Sequence, residues 1–212
     1  MKQVGDELMA ITNITTLADT EYLKLYNAEY INKNGKPKNW SIASRKDLAT
    51  LKNNYFNGTE DNVDAVIIVA THVDKATHID KATNEAEDKL VVIKQFRVPL
   101  NDYVYEIPAG LIDPGEDFET TVKRELKEET GLDLLKIDYS KTKSKTYIST
   151  GMTDESAALV YCSCLGEISK AYLEPDEDIE IMLLSKQEAK SLIESKEKID
   201  IKAFLAIQNF IR

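Results

Sequence analysis

Residues 110–132, GLIDPGEDFETTVKRELKEETGL, carry seven Asp or Glu side chains, and the rest of this 212-residue chain is best understood from them. The acids crowd most densely into the run RELKEE at residues 124–129. Like charges three or four residues apart on a helix repel each other by a few tenths of a kcal/mol. We therefore expect a positive partner. A hard divalent cation such as Mg²⁺, which prefers carboxylate oxygens and water, suits this composition.

The same stretch has the pattern of an amphipathic helix. Phe118, Val122 and Leu126 recur every four residues and predict a buried stripe on a helix over about residues 117–130. Gly131 stands where a helix commonly ends in a left-handed residue. The helix is therefore expected to hold its acidic side chains at fixed spacing beside a stripe that faces the core.

Three of the glutamates share one edge of this helix. Glu125 lies three residues before Glu128 and four before Glu129, so that their side chains are neighbours on the helix surface. This edge is about 100° around the helix axis from Leu126, which places the carboxylates beside the buried stripe. Partial burial raises the cost of uncompensated negative charge and favours a metal ion. A solvated charged face, with Arg124 neutralising one acid, is the alternative interpretation.

Composition narrows the class of protein. A formal charge of −10 argues against a nucleic-acid-binding protein, which needs a basic face. The sequence has no run of about 18 apolar residues, so no membrane-spanning helix is expected. The N-terminus lacks the apolar core of a signal peptide. Cys162 and Cys164 are expected to be buried thiols in a reducing cytoplasm. Two cysteines and two histidines are too few for a metal site built from thiolates and imidazoles.

The first 60 residues predict a β-rich segment. Residues 22–32 and 39–45 have the composition of strands, and the turn-forming pair Asn-Gly at residues 34–35 joins them. Residues 1–20 are weakly patterned and are expected to form a short helix or an ordered arm. Residues 45–58 are polar and are expected to form a loop.

The remainder of the chain alternates strands with helices. The long polar segment between residues 72 and 88 is expected to be a solvated insertion. Strands outnumber helices, so the predicted class is α+β or mixed α/β. Strands are predicted at residues 63–73, 89–96, 103–107, 136–148, 157–165 and 179–183, and helices at residues 117–130, 185–195 and from 200 onward.

The acidic stretch resembles the signature of the Nudix hydrolases. That signature runs from Gly110 through Glu116 to the run RELKEETGL at residues 124–132, and no fixed position departs from it. The resemblance implies an α/β/α sandwich around a mixed β-sheet, here with an N-terminal β-strand extension. It also implies hydrolysis of a nucleoside diphosphate linked to another group X. Residues 1–60 are accordingly predicted to serve dimerisation and substrate recognition, and residues 61–212 to form the Nudix hydrolase domain.

In that family the signature helix supplies the metal ligands. The resemblance therefore implies that Glu125 and Glu129 bind Mg²⁺, for which Mn²⁺ can substitute, and that Glu128 assists. A bound metal ion neutralises the pyrophosphate and lowers the pKa of a coordinated water. Glu116 and Arg124 are expected to hold the site together rather than to bind the metal directly.

The flanking residues resemble the ADP-ribose pyrophosphatase subfamily. The matching segments are QFR at residues 95–97 and YEIPAGLID at residues 105–113. The resemblance implies that the Ala109 carbonyl is a metal ligand. It also implies that Arg97 reaches the substrate's phosphates with its bidentate guanidinium, and that Glu106 makes a polar contact to substrate or metal.

An N-terminal segment, WSIASR at residues 40–45, is similar to the corresponding part of that subfamily. By this likeness Trp40 stacks on adenine and Arg45 contacts the ligand, across a homodimer made by exchange of N-terminal strands. Packing of Trp40 within the hairpin or core is the alternative.

A third segment, STGMTDE at residues 149–155, resembles the loop that carries a catalytic glutamate in the same subfamily. Glu155 is the predicted general base that accepts a proton from the attacking water, and Asp154 is its rival. Thr150 stands where the subfamily more often has proline. The predicted catalytic residues are thus Glu155 with Glu128 and Glu129.

The predicted reaction is the Mg²⁺-dependent hydrolysis of ADP-ribose or a related ADP-sugar to AMP and ribose 5-phosphate. Another nucleoside diphosphate sugar such as GDP-mannose is an alternative, because base selection depends on a few hydrogen bonds in the N-terminal region. A non-catalytic Nudix module that binds ADP-ribose is a second alternative, although such modules usually lose acids that this chain retains. The expected protein is cytoplasmic, with no nucleic-acid or membrane partner.

Overall fold

The computed structural model describes residues 9–59, 62–73, 88–175 and 177–212. Most of the insertion expected between residues 72 and 88 therefore lies outside the described residues. The chain divides into two compact units, of which the first comprises Met1–Val63 with Tyr147–Ser156 and the second comprises Asp64–Thr146 with Ala157–Arg212. The predicted domain boundary at residues 60–61 stays a prediction.

The first unit is built on a three-stranded antiparallel sheet, which is the predicted N-terminal β extension. Its strands are β1 (Ala10–Asp19), β2 (Lys24–Ile31) and β3 (Pro37–Ser44), in that spatial order. Of the two forms expected for residues 1–20, the short helix is wrong for residues 10–19, which form a strand, while residues 1–8 lie outside the described residues. Isoleucine and threonine favour strands, and pairing with β2 outweighs the irregular pattern of the sequence.

A small core closes one face of this sheet. Ile14 and Tyr26 are fully buried there against Leu51. Leu51 belongs to a short helix, α1 (Leu48–Lys52), which Asp47 caps by accepting a hydrogen bond from the Thr50 amide at 2.7 Å. The loop expected over residues 45–58 is therefore wrong, since one buried leucine and one cap are enough to order a helical turn. A π-helical turn, Asn53–Asn57, follows α1.

The second unit is a mixed sheet with helices on both faces. The sheet order is β11-β5-β4-β10-β8, with β6 beside β5, β7 beside β4 and β9 beside β10. Only β4 and β10 pair in parallel among the registers described for this sheet. Its strands are β4 (Ala65–His72), β5 (Lys89–Arg97), β6 (Asp102–Glu106), β7 (Ala109–Leu111), β8 (Asp133–Ile137), β9 (Lys143–Tyr147), β10 (Ser156–Leu165) and β11 (Ile179–Leu184).

Alternation along β4 separates two layers of helices. Ala65, Ile67 and Val69 pack with α3 (Lys186–Glu194) and α4 (Ile201–Phe210) on one face. Helix α2 (Phe118–Thr130) packs against β4, β7, β8 and β11 from the other face. The predicted α/β/α sandwich is confirmed.

One predicted strand is two strands in the structure. Residues 136–148 were expected to be continuous, but β8 ends at Ile137 and β9 begins at Lys143. Asp138 makes the turn between them: its carboxylate accepts from the Ser140 amide at 3.1 Å, and its carbonyl accepts from the Thr142 hydroxyl at 2.9 Å. Such local bonds compete with the ladder and break a strand that the alternation alone predicts.

The helix ends follow the sequence closely. Asp117 caps α2 by accepting from the Thr120 amide at 2.8 Å, and Gly131 closes it with a φ of 77°. Ser185 and Glu188 form the capping box of α3. Among the described helices, none combines the length and apolar character that a membrane span needs.

Candidate active site

The three glutamates along one edge of α2 differ in how much of each side chain is exposed. Glu129 is 5% exposed, the Glu125 side chain is 13% exposed, and the Glu128 side chain is 43% exposed. The helix positions Glu125 and Glu129 one turn apart, on the side that faces the sheet. The expectation that this edge lies beside the buried stripe is confirmed, because Val122 and Leu126 are fully buried.

Strand β7 lies directly against these two carboxylates. The backbone amide of Ala109 donates to Glu129 Oε2 at 3.1 Å. A Cβ added to Gly110 would lie 1.9 Å from Glu125 Cδ, so that only glycine lets the strand approach the helix this closely. The sequence Ala109-Gly110 therefore brings main-chain polar groups to the two buried acids.

The positive charge near Glu125 and Glu129 does not offset the cost of burying their carboxylates. Desolvation by burial raises the pKa of Glu129 well above its ordinary value, and the negative charge of Glu125 raises it further. The Ala109 amide and Arg97 oppose that shift without cancelling it. Burial also raises the pKa of Glu125, although Arg124 opposes the shift. A bound cation would relieve both costs.

Arg124 connects the remaining acids of the signature. Its guanidinium donates to Glu116 at 3.1 Å, to Glu125 at 2.8 Å and to Glu128 at 3.0 Å. It also donates to the Leu111 carbonyl at 3.0 Å. The hydrogen bonds that Arg124 donates to Glu116 are the largest cause that raises the pKa of Arg124. These contacts tie the loop before α2 to the helix.

Hard oxygen donors are the groups that Mg²⁺ prefers, and this edge supplies them. Glu125 and Glu129 are the residues best placed to hold a metal ion, with Glu128 nearest to solvent. Within the described residues, no three His, Cys, Asp or Glu side chains converge closely enough to hold one as they stand.

Arg97 and Glu106, both predicted to contact substrate, are joined to each other. Arg97 Nε donates to Glu106 Oε1 at 2.5 Å and Arg97 Nη2 to Glu106 Oε2 at 2.8 Å. Glu106 is buried, whereas the Arg97 side chain is 44% exposed. Glu106 is the largest cause that raises the Arg97 pKa, and Glu129 adds to it. The buried carboxylate thus orients a guanidinium whose outer edge remains accessible.

The predicted substrate and base residues of the first unit lie side by side. Arg45 Nε donates to Glu155 Oε1 at 2.8 Å, and Lys46 Nζ lies 3.2 Å from Asp154 Oδ2. Trp40 is 52% exposed and its indole nitrogen donates to the Gly151 carbonyl at 3.1 Å. The segment from residue 149 to 155 is therefore fastened to β3 and to the residues that follow it.

Sequence reasoning missed two partners in this unit. Lys46, beside the predicted Arg45, holds Asp154, and only its position next to a basic ligand candidate hinted at this. Tyr55 was assigned to a loop, yet it lines a cavity of about 280 Å³ together with Trp40 and Tyr147. No local pattern identifies such neighbours, because they are far apart in sequence.

The family of the chain follows from its similarity to known proteins. The chain matches the NUDIX domain family over residues 76–205. It is 40% identical over 124 residues to the ADP-ribose pyrophosphatase of Bacillus subtilis (strain 168), which covers 58% of this chain and 65% of that protein. It is 34% identical over 123 residues to the methanol dehydrogenase activator of Bacillus methanolicus, again covering 58% and 65%. The chain thus spans just under two thirds of the length of these relatives.

A solved structure described as an ADP compounds hydrolase has a similar fold. The TM-score is 0.67 with 19% sequence identity, over 97% of this chain and 94% of that chain. At this identity the likeness concerns the fold alone. The family match spans more than half of the chain and includes the whole acidic edge of α2, and the chain therefore belongs to the NUDIX domain family.

Proposed function

We propose that this protein hydrolyses the pyrophosphate bond of ADP-ribose, or of a related ADP-sugar, to give AMP and ribose 5-phosphate. The observation that carries the proposal is the pair of buried carboxylates, Glu125 and Glu129, packed against the Ala109-Gly110 backbone with raised pKa values. The 40% identity to an ADP-ribose pyrophosphatase supports the choice of substrate.

Residues of the second unit would bind the metal ion and the phosphates. Glu125 and Glu129, with Glu128 and the Ala109 carbonyl, would hold Mg²⁺ or Mn²⁺. When bound, the metal supplies charge neutralisation at the diphosphate and a water of lowered pKa. Arg97 binds a phosphate oxygen through the guanidinium edge that Glu106 leaves accessible.

Residues of the first unit would accept the proton and bind the adenine. Glu155 accepts the proton of the attacking water at a carboxylate oxygen, which requires that its bond to Arg45 be exchanged for one to water. Arg45 is then available to the anionic ligand. Trp40 offers its exposed indole face for stacking on adenine, worth about 1–3 kcal/mol.

A cytoplasmic homodimer is part of the proposal. Apolar and aromatic side chains including Ile11, Tyr30 and Trp40 line a shallow cavity of about 250 Å³ on the three-stranded sheet. Exposed apolar surface of this kind is typical of protein interfaces. Light scattering at several protein concentrations measures the oligomeric state. A monomer at all of them would remove the homodimer from the proposal.

The substrate is tested by turnover. Initial rates with ADP-ribose, GDP-mannose and dinucleoside polyphosphates are compared in the presence of Mg²⁺, and ADP-ribose is expected to have the highest kcat/KM. A higher kcat/KM for GDP-mannose would overturn the choice of ADP-sugar. Tight binding of ADP-ribose without hydrolysis of any diphosphate, with either Mg²⁺ or Mn²⁺, would indicate a binding module instead.

A further inference from the structure

A cavity of about 600 Å³ is lined by Arg97 and Glu106 together with polar residues that the proposed function does not use. These are Lys198, Asp200 and Lys202, which come from the connection between α3 and α4 and from the first turn of α4. The volume lies within the range of about 300–1,000 Å³ that is typical of small-molecule sites. The cavity is therefore large enough for part of a substrate that Arg97 contacts.

The connection between α3 and α4 runs beside β6 like a further strand. The Tyr105 amide donates to the Lys198 carbonyl at 2.8 Å, and the Asp200 amide donates to the Tyr105 carbonyl at 2.9 Å. Tyr105 and Ile199 form a parallel bridge, and both pack against the core that α3 and α4 cover. Because neighbouring residues of an extended chain point to opposite faces, Lys198 and Asp200 point to the other face, together with Glu106.

Two ion pairs line the cavity. One is the pair of Arg97 and Glu106 described above. In the other, the Lys202 ammonium donates to Asp200 Oδ2 at 2.7 Å, while Asp200 Oδ1 accepts from the Lys202 amide at 2.8 Å and caps α4. The Lys202 and Asp200 side chains are 24% and 21% exposed. Since an ammonium has three donors and each carboxylate oxygen has two lone pairs, this second pair can also bond to a ligand.

Arg97 lies within electrostatic reach of both the acidic edge of α2 and the second ion pair. Its hydrogen bonds to Glu106 are the largest cause that raises its pKa, and the negative charges of Glu129 and Asp200 raise it further. Arg97 also lines the cavity. A phosphate bound at Arg97 therefore brings its own substituent to the cavity.

The lining of the cavity favours a sugar over a nucleobase. None of the described residues in its wall is aromatic, whereas bases bind by stacking on aromatic rings. Sugar hydroxyls both donate and accept, so they can satisfy a carboxylate and an ammonium that lie side by side. Asp200 and Lys202 offer that combination. The cavity thus suits the group X of a nucleoside diphosphate linked to X rather than the nucleoside.

We propose that this cavity binds the sugar of the substrate's group X, and that Asp200 and Lys202 determine which sugar is accepted by bonding to its hydroxyls. The inference deepens the proposed function and rests on it, because it takes for granted that Arg97 binds a phosphate of the substrate. Asp200 accepts a hydrogen bond from one hydroxyl, and Lys202 donates one to another. A ligand without the sugar loses these bonds and keeps those to its diphosphate.

Steady-state kinetics with two ligands that differ only in group X test the proposal. The first is the nucleoside diphosphate sugar that the wild type hydrolyses best, expected to be ADP-ribose, and the second carries a methyl group in place of the sugar. Asp200→Asn removes the charge but keeps an acceptor for the cap of α4, and Lys202→Met removes the ammonium but keeps the apolar stem. Each variant is expected to lower kcat/KM for the sugar substrate by about 10-fold or more, and to leave the Ki of the methyl ester within about twofold of the wild type.

Lys190→Met is the matched control, because Lys190 forms a lysine–carboxylate pair with Glu194 on the exposed surface of α3. It is expected to leave both constants unchanged. A loss confined to the sugar substrate supports the role of the residue that was changed. An equal loss for both ligands, or kcat/KM within about twofold of the wild type in both cavity variants, would overturn this inference and leave the proposed function intact. Absence of hydrolysis of every nucleoside diphosphate sugar by the wild type would overturn both.

Discussion

The edge of α2 and the segment from residue 149 to 155 both present carboxylates, but they balance the charge differently. Each acid in the second group has its own cation, Arg45 for Glu155 and Lys46 for Asp154. On α2, Glu129 is buried and accepts a hydrogen bond from the Ala109 amide, and burial raises its pKa. An acid left short of positive charge is prepared for a metal ion. An acid that already has a partner must exchange it before it can act.

Removal of the buried charge should have the largest effect. We expect Glu129→Gln to lower turnover of ADP-ribose by orders of magnitude while the fold persists, because it deletes a proposed metal ligand and adds no buried charge. Steady-state kinetics and circular dichroism measure the two quantities. Near-normal activity would show that α2 does not hold the metal through this residue.

The next largest effect should distinguish Glu155 from Asp154. Glu155→Gln is expected to reduce kcat by about 10²-fold or more with little change in Mn²⁺ affinity, as the loss of a general base does. Asp154→Asn is the matched variant, one residue away and equally paired. If Asp154→Asn proves the more damaging to kcat, the roles of the two residues are reversed.

The close approach of β7 to α2 can be broken with one methyl group. Gly110→Ala forces Glu125 away from the strand, since the new Cβ would lie 1.9 Å from Glu125 Cδ. We expect a loss of about 1–3 kcal/mol in the free energy of unfolding together with weaker Mn²⁺ binding. Urea unfolding measures the first. Gly151→Ala is the control, because a Cβ there meets nothing within 4 Å.

The smallest expected effect is a pH dependence of stability in the metal-free protein. Burial raises the pKa of Glu129, so the unfolded chain releases this proton at lower pH than the folded protein does. The free energy of unfolding should therefore fall as the pH rises from the ordinary glutamate pKa through the raised one. Urea unfolding in EDTA measures it. Glu129→Gln should remove this component, and an identical slope in that variant would assign it to other groups.

Local patterns predicted most of the second unit because its helix signals are short-range. The cap at Asp117, the stop at Gly131 and the capping box of Ser185 each depend on residues within one turn. The first strand and α1 escaped prediction because each is decided by a contact outside its own segment: Ile14 and Leu51 are buried in a core shared with Tyr26. Propensity is a weak guide where tertiary burial outweighs it.

The sequence by itself determined the family, the helix and the identity of the acids on its edge, because those depend on spacing along one element. Only the tertiary structure decided which acids are buried: Glu125 packs against Gly110 and Glu129 accepts a hydrogen bond from the Ala109 amide, both on a separate strand. It alone joined Arg97 to Glu106 and Arg45 to Glu155. Charges far apart in the chain interact only where folding brings them within a few ångströms and removes the water between them.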